Sequence, residues 1–254
     1  DINYKVLTYP ADTINDVVFA ATYGAIYKSS NGGTTWSLIK GNGNSFWTDV
    51  NVTPNGVVYA TLGSDGGGKG IWRSADGISF TNITPPNFAT TYERIVSGYA
   101  PTNENVVYFL ANTPGFGVPD TNFLGDVEWN SLWKYTYLSG DGDSAGGLWE
   151  DLSNSLPTTG GPFDKFHCQG SYDLVVKVKP DDINVVFIGG TNLYRSTNGF
   201  SDPSTNRFVG GYAEGTALPI VLGYENHHPD QHEILFYPSD PNKLLSGNDG
   251  GIFR

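Results

Sequence analysis

The densest group of side chains able to do chemistry lies in residues 225–233, which hold three of the four histidines. On an extended segment, alternating side chains would place His228, Asp230 and His232 on one face. Two imidazoles and a carboxylate could bind a transition-metal ion or transfer a proton. Because Pro229 disfavours a regular strand start, a hydrogen-bonded network that joins neighbouring strands is a third interpretation.

A second acidic group lies in the glycine-rich stretch 141–147, which contains Asp141 and Asp143. Oxygen ligands at alternate positions with a nearby glycine suit calcium, although the remaining ligands of an EF-hand loop are absent. A solvated turn between two strands, next to Trp149, would have the same composition. The stretch therefore predicts either a calcium site or a turn.

A recurring five-residue phrase indicates the elements that must position these groups. It consists of a small, an aliphatic, an aromatic and a basic residue, usually followed by Ser, and this alternation is typical of a half-buried strand. Copies begin at positions 25, 70, 192 and 251, with a degenerate copy at 131. Repeats tens of residues apart predict a repeat architecture.

Each phrase belongs to a longer unit. An alternating stretch, a proline turn and an aliphatic run precede it, and a glycine turn with a fourth short run follows it. This order predicts a four-stranded antiparallel unit, and such units bury their faces by packing around an axis as propeller blades. We predict an all-β propeller as a single domain over residues 1–254, with about five blades, the last incomplete at Arg254.

The starts of the first strands are where a propeller would carry function. First strands line the central channel, and the loops at its mouth hold binding residues. Aromatic rings beside carboxylates suit sugar stacking and hydrogen bonding, whereas ordinary channel lining is the alternative. The insert 113–130, with Trp129, is longer than a hairpin needs and is a further candidate loop. Side chains expected near the strand starts are Phe46, Trp47, Glu93, Arg94, Tyr172, Asp173, Asp230 and Gln231.

Composition excludes several classes of function. A net charge of −12 disfavours nucleic acids and anionic membranes, which need clustered Lys and Arg. No apolar run is long enough to insert into a bilayer. The single cysteine, Cys168, excludes an internal disulfide. Only 16% of the residues are charged, and this composition is typical of secreted β proteins and compatible with neutral glycans.

The glycine turns carry a family resemblance. Residues 29–36 resemble the Asp-box (BNR) motif with Asn31 in place of Asp, and shortened versions begin at Ser74 and Ser196. The whole chain is similar to Asp-box propellers of secreted Bacteroidota proteins, sortilin-like and xyloglucanase-like, which are often exported by the type IX system. The motif is a hairpin device in which Asp or Asn bonds the turn and Trp36 packs under it, so the resemblance implies a structural role.

The resemblance also bears on catalysis. Sialidases share the motif but need an arginine cluster, and most of the five arginines here belong to the repeat phrase. Residues 248–254 are similar to the segment that bears a catalytic Asp in xyloglucanase-like enzymes, which implies Asp249. A glycosidase needs a second carboxylate, and Asp230 or Asp173 would be its partner.

We therefore expect a secreted or bacterial cell-surface binding or scaffold module for a glycan or a protein, part of a larger propeller completed by further blades or another chain. A glycoside hydrolase fragment acting on neutral β-glucans is the first alternative, and a structural spacer is the second. An aromatic platform favours binding, a carboxylate pair across a cleft favours hydrolysis, and a sealed channel favours a spacer. The candidate ligand-binding residues are Trp47, Arg94, Tyr172, Trp129, His228 and His232.

Overall fold

The structure is a computed structural model and describes residues 3–9, 12, 14–122, 125–158, 165–213, 216, 219–220 and 227–254. The strands of this part form five antiparallel sheets, I to V in chain order. Its two short 3-10 helices span Ser153–Ser155 and Pro203–Thr205. Within these described ranges, no helix has the length and apolarity needed to cross a membrane.

The sheets are built from strands that follow one another along the chain. Sheet I contains β1 (Asn3–Thr8), β2 (Val18–Thr22), β3 (Gly24–Ser29) and β4 (Ser37–Ser45). Sheet II contains β5 (Thr48–Val52), β6 (Val58–Leu62), β7 (Gly70–Ser74) and β8 (Thr81–Asn82). Sheet III contains β9 (Ile95–Ala100), β10 (Asn103–Asn112), β11 (Val118–Thr121), β12 (Val127–Tyr137) and β13 (Gly147–Asp151). Sheet IV contains β14 (Val175–Lys179), β15 (Asp182–Gly189), β16 (Leu193–Ser196) and β17 (Arg207–Gly210). Sheet V contains β18 (Gln231–Tyr237), β19 (Asp240–Asn248) and β20 (Gly251–Phe253).

The repeat phrase forms the third strand of its unit, as predicted. It makes β3, β7, β16 and β20, and the degenerate copy forms the middle of β12. Sheet III has an additional strand because the insert folds into a β11–β12 hairpin that extends β12 beyond β10. Sheet V has three strands in the described part of the chain.

The five sheets are arranged radially. The first strands β1, β5, β9, β14 and β18 contact their neighbours in sequence order and line a central channel of about 620 Å³. Ion pairs join adjacent first strands inside this channel. Lys5 Nζ is 3.2 Å from Asp49 Oδ1, and Lys177 Nζ is 3.3 Å from Glu233 Oε1. This is the arrangement of a β-propeller with about five blades, which agrees with the predicted fold class.

The cores lie between successive sheets. Because side chains alternate along a strand, each inner sheet presents an apolar face to the sheet before it and another to the sheet after it. Ile26 and Val50 share the core between sheets I and II, and Tyr59 and Trp133 share the core between sheets II and III. Both faces of sheets II, III and IV are therefore buried, which positions the starts of their first strands at the channel mouth.

The glycine turns share one pattern of hydrogen bonds. The Ser29 hydroxyl donates to Asn31 Oδ1 (2.9 Å) and accepts from the Gly33 N–H (2.9 Å). The same pair of bonds is made by Ser74 and by Ser196 in their own turns. Gly33 has φ 86°, a left-handed conformation that glycine adopts without steric cost. The motif residues thus hold the turn after the third strand.

Candidate functional site

Aromatic side chains from sheets I and II form a continuous arc at the mouth of the channel. The ring centroids of Tyr23 and Phe46 are 5.3 Å apart, those of Phe46 and Trp47 are 5.2 Å apart, and those of Trp47 and Tyr4 are 5.0 Å apart. Phe46 is 48% exposed, and its position next to β5 is the strand start at which the sequence placed it. We call these four residues the aromatic arc.

Arg94 ties this arc to sheet IV. Its guanidinium carbon lies 5.5 Å from the centre of the Trp47 ring, and its Nη1 donates to the carbonyl oxygens of Ser171 (3.2 Å) and Tyr172 (2.6 Å). Burial lowers the pKa of Arg94 from its usual value, and nearby carboxylates oppose that shift. Since its donors serve backbone carbonyls, Arg94 positions the loop before β14.

The predicted acidic residues meet beside His232. Its Nε2 is 2.6 Å from Asp249 Oδ1, and its Nδ1 is 3.8 Å from Asp173 Oδ1. The half-exposed ring of Tyr172 meets the imidazole edge-on, with centroids 5.1 Å apart. Asp249 comes from the β19–β20 turn of sheet V and Asp173 from the start of β14 in sheet IV. The imidazole therefore joins carboxylates of two sheets.

Asp173 and Asp230 form a coupled carboxyl pair. The Asp173 side chain is 0% exposed, and within the described part of the chain it receives no N–H or hydroxyl donor and interacts with the Asp230 carboxyl group. Burial, followed by the charges of Asp230 and Asp249, raises the pKa of Asp173 to about 8. Burial and Asp249 also raise the pKa of Asp230. Two close carboxyl groups cannot both ionise easily, so the pair retains a proton at neutral pH.

Residues 228–232 do not form the extended segment that the alternation required. Asp230 has φ 68°, in the left-handed region, and β18 begins only at Gln231. The Asp230 carboxylate is instead oriented by Gln169, whose Nε2 donates to Asp230 Oδ1 at 2.8 Å. Strand alternation therefore does not describe this segment, although Asp230 interacts with both His228 and His232.

The loop before β14 is held in a strained conformation. Gln169 (φ 47°) and Ser171 (φ 77°) are non-glycine residues in the left-handed region, where strain is often retained at functional sites. Glu128, on the β11–β12 hairpin, accepts hydrogen bonds from the backbone N–H groups of Cys168 (2.9 Å) and Gly170 (3.1 Å). The insert of sheet III thus anchors the loop that presents Tyr172 and Asp173. The sequence analysis did not predict this anchoring role of Glu128.

The remaining histidines of the 225–233 group belong to a structural network. His227 Nε2 lies 2.9 Å from the Ser246 hydroxyl, which donates to Gln231 Oε1 at 2.9 Å. His228 Nδ1 donates to the carbonyl oxygen of Pro229 at 3.0 Å. These bonds join the start of β18 to β19, in agreement with the network interpretation for this part of the group.

The contacts that hold Trp129 in its hairpin do not place it beside Asp173, Asp230 or Asp249. It is half-buried and pairs across the hairpin with Pro119. Because side chains alternate along β12, Trp129 lies on the face opposite to Glu128, which reaches the loop before β14. The insert therefore contributes to the site through Glu128, and a ligand-binding part for Trp129 stays a prediction.

Asp141 and Asp143 lie in the exposed turn between β12 and β13. Asp143 Oδ1 accepts the N–H of Ala145 at 3.1 Å, as in an ordinary turn. Over the residues that the structure describes, no group of three or more His, Cys, Asp or Glu side chains is placed to hold a metal ion. The geometry therefore favours the turn interpretation, and it provides no set of side-chain ligands for calcium.

Comparisons with known proteins find likeness at the level of structure. No protein-family model matches the chain, and no curated protein matches it. A GH74 enzyme of Niastella koreensis is similar over 97% of this chain, at 17% identity and a TM-score of 0.55. The chain spans about a third (35%) of that enzyme.

Two structures of an α-L-arabinofuranosidase of Fusarium graminearum are also similar. With an iminosugar inhibitor, that enzyme matches over 95% of this chain and 70% of its own, at 10% identity and a TM-score of 0.53. In complex with arabinobiose, the enzyme matches over 96% of this chain and 71% of its own, at 10% identity and a TM-score of 0.51. Such low identities bear on the fold alone. The chain therefore has a propeller-like fold similar to those of glycan-degrading enzymes.

Proposed function

We propose that this propeller binds a glycan at the mouth of its channel. The observation that carries the proposal is the aromatic arc, whose Tyr23 and Phe46 rings are half-exposed, together with Tyr172 and the carboxyl groups around His232. Aromatic faces pack against the apolar faces of sugar rings, and carboxylates accept hydrogen bonds from sugar hydroxyls. The likeness of the fold to those of glycoside hydrolases supports a glycan over a protein ligand. Exposed rings at an open mouth also argue against a plain spacer.

We also infer that the chain is an Asp-box propeller exported to the bacterial surface. Two observations support this: the shared hydrogen bonds of the three glycine turns, and a composition with few charged residues. A test is whether the protein, expressed in a bacterium that has the type IX system and with that system's export signal attached, appears at the cell surface in a folded form.

Replacing Trp47 by alanine should weaken glycan binding about tenfold, because the substitution removes the central ring of the aromatic arc. Binding is measured by isothermal titration calorimetry with oligosaccharides of neutral and amino sugars. Trp36→Ala is the matched control, since Trp36 lies in the β3–β4 turn, away from the mouth. Equal losses in both variants, or no binding by the unmodified protein, would contradict the proposal.

Hydrolysis is a second candidate function, favoured by the carboxyl pair. A glycosidase needs a protonated carboxyl group and an ionised one near the scissile bond. The pair Asp173–Asp230 retains a proton, and Asp230 is the member with partial exposure, so it is the one able to deliver that proton. Asp249, which is hydrogen-bonded to His232, is the candidate ionised partner. Asp173 is too buried to touch a substrate and would act through Asp230.

If the chain is a hydrolase, Asp230→Asn and Asp249→Asn should each abolish the release of reducing ends from polysaccharides such as xyloglucan and arabinan. The rate in the unmodified protein should fall as the pH rises through about 8, because the carboxyl pair then loses its proton. Asp182→Asn, at the exposed start of β15, is the control for the change in charge. No release by the unmodified protein would exclude hydrolysis of the tested polysaccharides and leave binding in place.

A further inference from the structure

The channel mouth is acidic beyond what its own cations neutralise. Among the residues that the structure describes there, the cations are fewer than the carboxyl groups: Lys5 is paired with Asp49, and the charge of Arg94 acts on Asp49 and Asp173. A cleft lined by one sign of charge concentrates ligands of the opposite sign, and the net charge of −12 adds to this field. The carboxyl groups around the mouth belong to Asp49, Asp65, Glu93, Asp173, Asp230 and Asp249.

The buried carboxyl group of this cluster lacks hydrogen-bond donors. Asp173 receives no N–H or hydroxyl donor among the described residues: its side chain is hydrogen-bonded only to the other carboxyl group of the pair, Asp230, and the ion-pair contact from His232 Nδ1 is long, at 3.8 Å. Buried carboxylates normally accept hydrogen bonds or pair with a cation. The coupled neighbour, Asp230, receives one donor, from Gln169. This part of the mouth therefore has an excess of acceptors and of negative charge.

We propose that the glycan bound at the mouth carries a protonated amine, so that the ligand is an amino sugar whose ammonium group binds beside Asp230 and Asp249. This inference rests on the proposed glycan binding and names the class of sugar. An ammonium group brings three donors and one positive charge, which are what the cluster lacks. A sugar bearing a carboxylate would be repelled, and a neutral sugar would leave the negative charge uncompensated.

The position of the aromatic side chains favours a sugar over a lysine side chain as the source of the amine. Tyr172 is 51% exposed and packs edge-on against His232, next to the carboxyl groups. Across Arg94, the arc continues through Trp47 to Phe46. Rings on two sides of an acidic centre suit several linked sugar units, whereas a single lysine side chain would engage the acidic centre alone.

The test uses three oligosaccharides of equal length and linkage. They differ only in the substituent at carbon 2 of each sugar unit, which is an amine, an acetamide or a hydroxyl group. At about pH 6 the amine is protonated. In isothermal titration calorimetry, the glucosamine oligomer should bind at least about tenfold more tightly than the N-acetylglucosamine and glucose oligomers. Its advantage should shrink as the salt rises to about 0.5 M, because salt screens the charges.

Substituted variants distinguish the amino-sugar inference from the proposed glycan binding on which it rests. Asp230→Asn or Asp249→Asn should remove the preference for the amine, so that each variant binds the three oligomers about equally; the asparagine amide oxygen can still accept a hydrogen bond from a sugar hydroxyl. Asp182→Asn makes the same change in charge at the far end of sheet IV and should leave the preference intact; its amide oxygen can still accept the Asn184 N–H. Two substituted positions are used so that misfolding of one variant does not end the test.

The possible outcomes are distinct. If none of the three oligosaccharides binds, the proposed function fails, and this inference fails with it. If the neutral oligomers bind as tightly as the glucosamine oligomer, glycan binding stands and the amino-sugar inference is overturned. If a tetralysine peptide competes as effectively as the glucosamine oligomer, the acidic centre takes protein amines and the inference is again overturned.

Discussion

Replacing Trp133 by alanine is expected to lower the free energy of unfolding by about 3–5 kcal/mol, because a large buried ring is lost between two rigid sheets. Trp133 is 1% exposed in the core between sheets II and III. Its ring stacks on Phe116 at a centroid distance of 6.0 Å and contacts Phe88 at 5.4 Å. Strands on both sides hold their positions through backbone hydrogen bonds, so the cavity cannot close.

Urea unfolding followed by circular dichroism measures this loss. Trp36→Ala is the control, and it should change the free energy of unfolding by less than about 1 kcal/mol. Trp36 is 43% exposed, and its ring lies against Gly33 of its own turn and not in a core between sheets. A second comparison is Trp133→Phe, which should cost less than the alanine substitution, since the Trp133 indole N–H has no acceptor among the described residues. Equal losses at positions 36 and 133 would show that the core between the sheets is not the main source of stability.

Replacing Asp173 by asparagine should remove a large part of the pH dependence of stability. The folded-state pKa of Asp173 is raised to about 8, above its unfolded value, so folding takes up a proton. The stability contribution of this protonated group is complete below about pH 4 and is lost as the pH rises toward about 8. Because one pKa unit corresponds to about 1.4 kcal/mol, the loss should exceed about 1 kcal/mol by pH 9.

Unfolding free energies at pH 5, 7 and 9 test this expectation. The unmodified protein should lose stability across this range, and Asp173→Asn should lose much less, so that the variant becomes the more stable protein at pH 9. Asp182→Asn should follow the unmodified protein, because Asp182 is exposed at the start of β15. Parallel pH profiles for Asp173→Asn and the unmodified protein would show that the carboxyl pair does not retain a proton.

The strands were predictable because the repeat phrase encodes them locally. The aliphatic residue of the phrase is buried as Ile26, Ile71 and Leu193, where another sheet packs on it, whereas Ile252 of sheet V is 77% exposed. The convergence of Trp47, Arg94 and Asp173 followed from the same reasoning, since first strands start at one end of the channel. Predicting that these residues lie at the same end of the channel required no knowledge of their side-chain contacts.

The details of the site were not predictable because contacts between sheets decide them. The left-handed backbone at Asp230 reverses the expected alternation, and nothing in residues 228–232 except Pro229 suggests it. Glu128 reaches the Cys168 N–H from 40 residues away in the chain. The coupling of Asp173 and Asp230 likewise depends on how two sheets pack, which no local pattern records.

The order of the strands has a consequence for how the chain folds. In the described part of the chain, every strand pairing lies within one sheet, between strands close together in sequence. Closing such short loops carries little entropic penalty, and contacts of short sequence separation are associated with fast folding. We therefore expect each sheet to form as a unit and then to dock onto the sheet before it, so that the chain can fold progressively as the ribosome releases it.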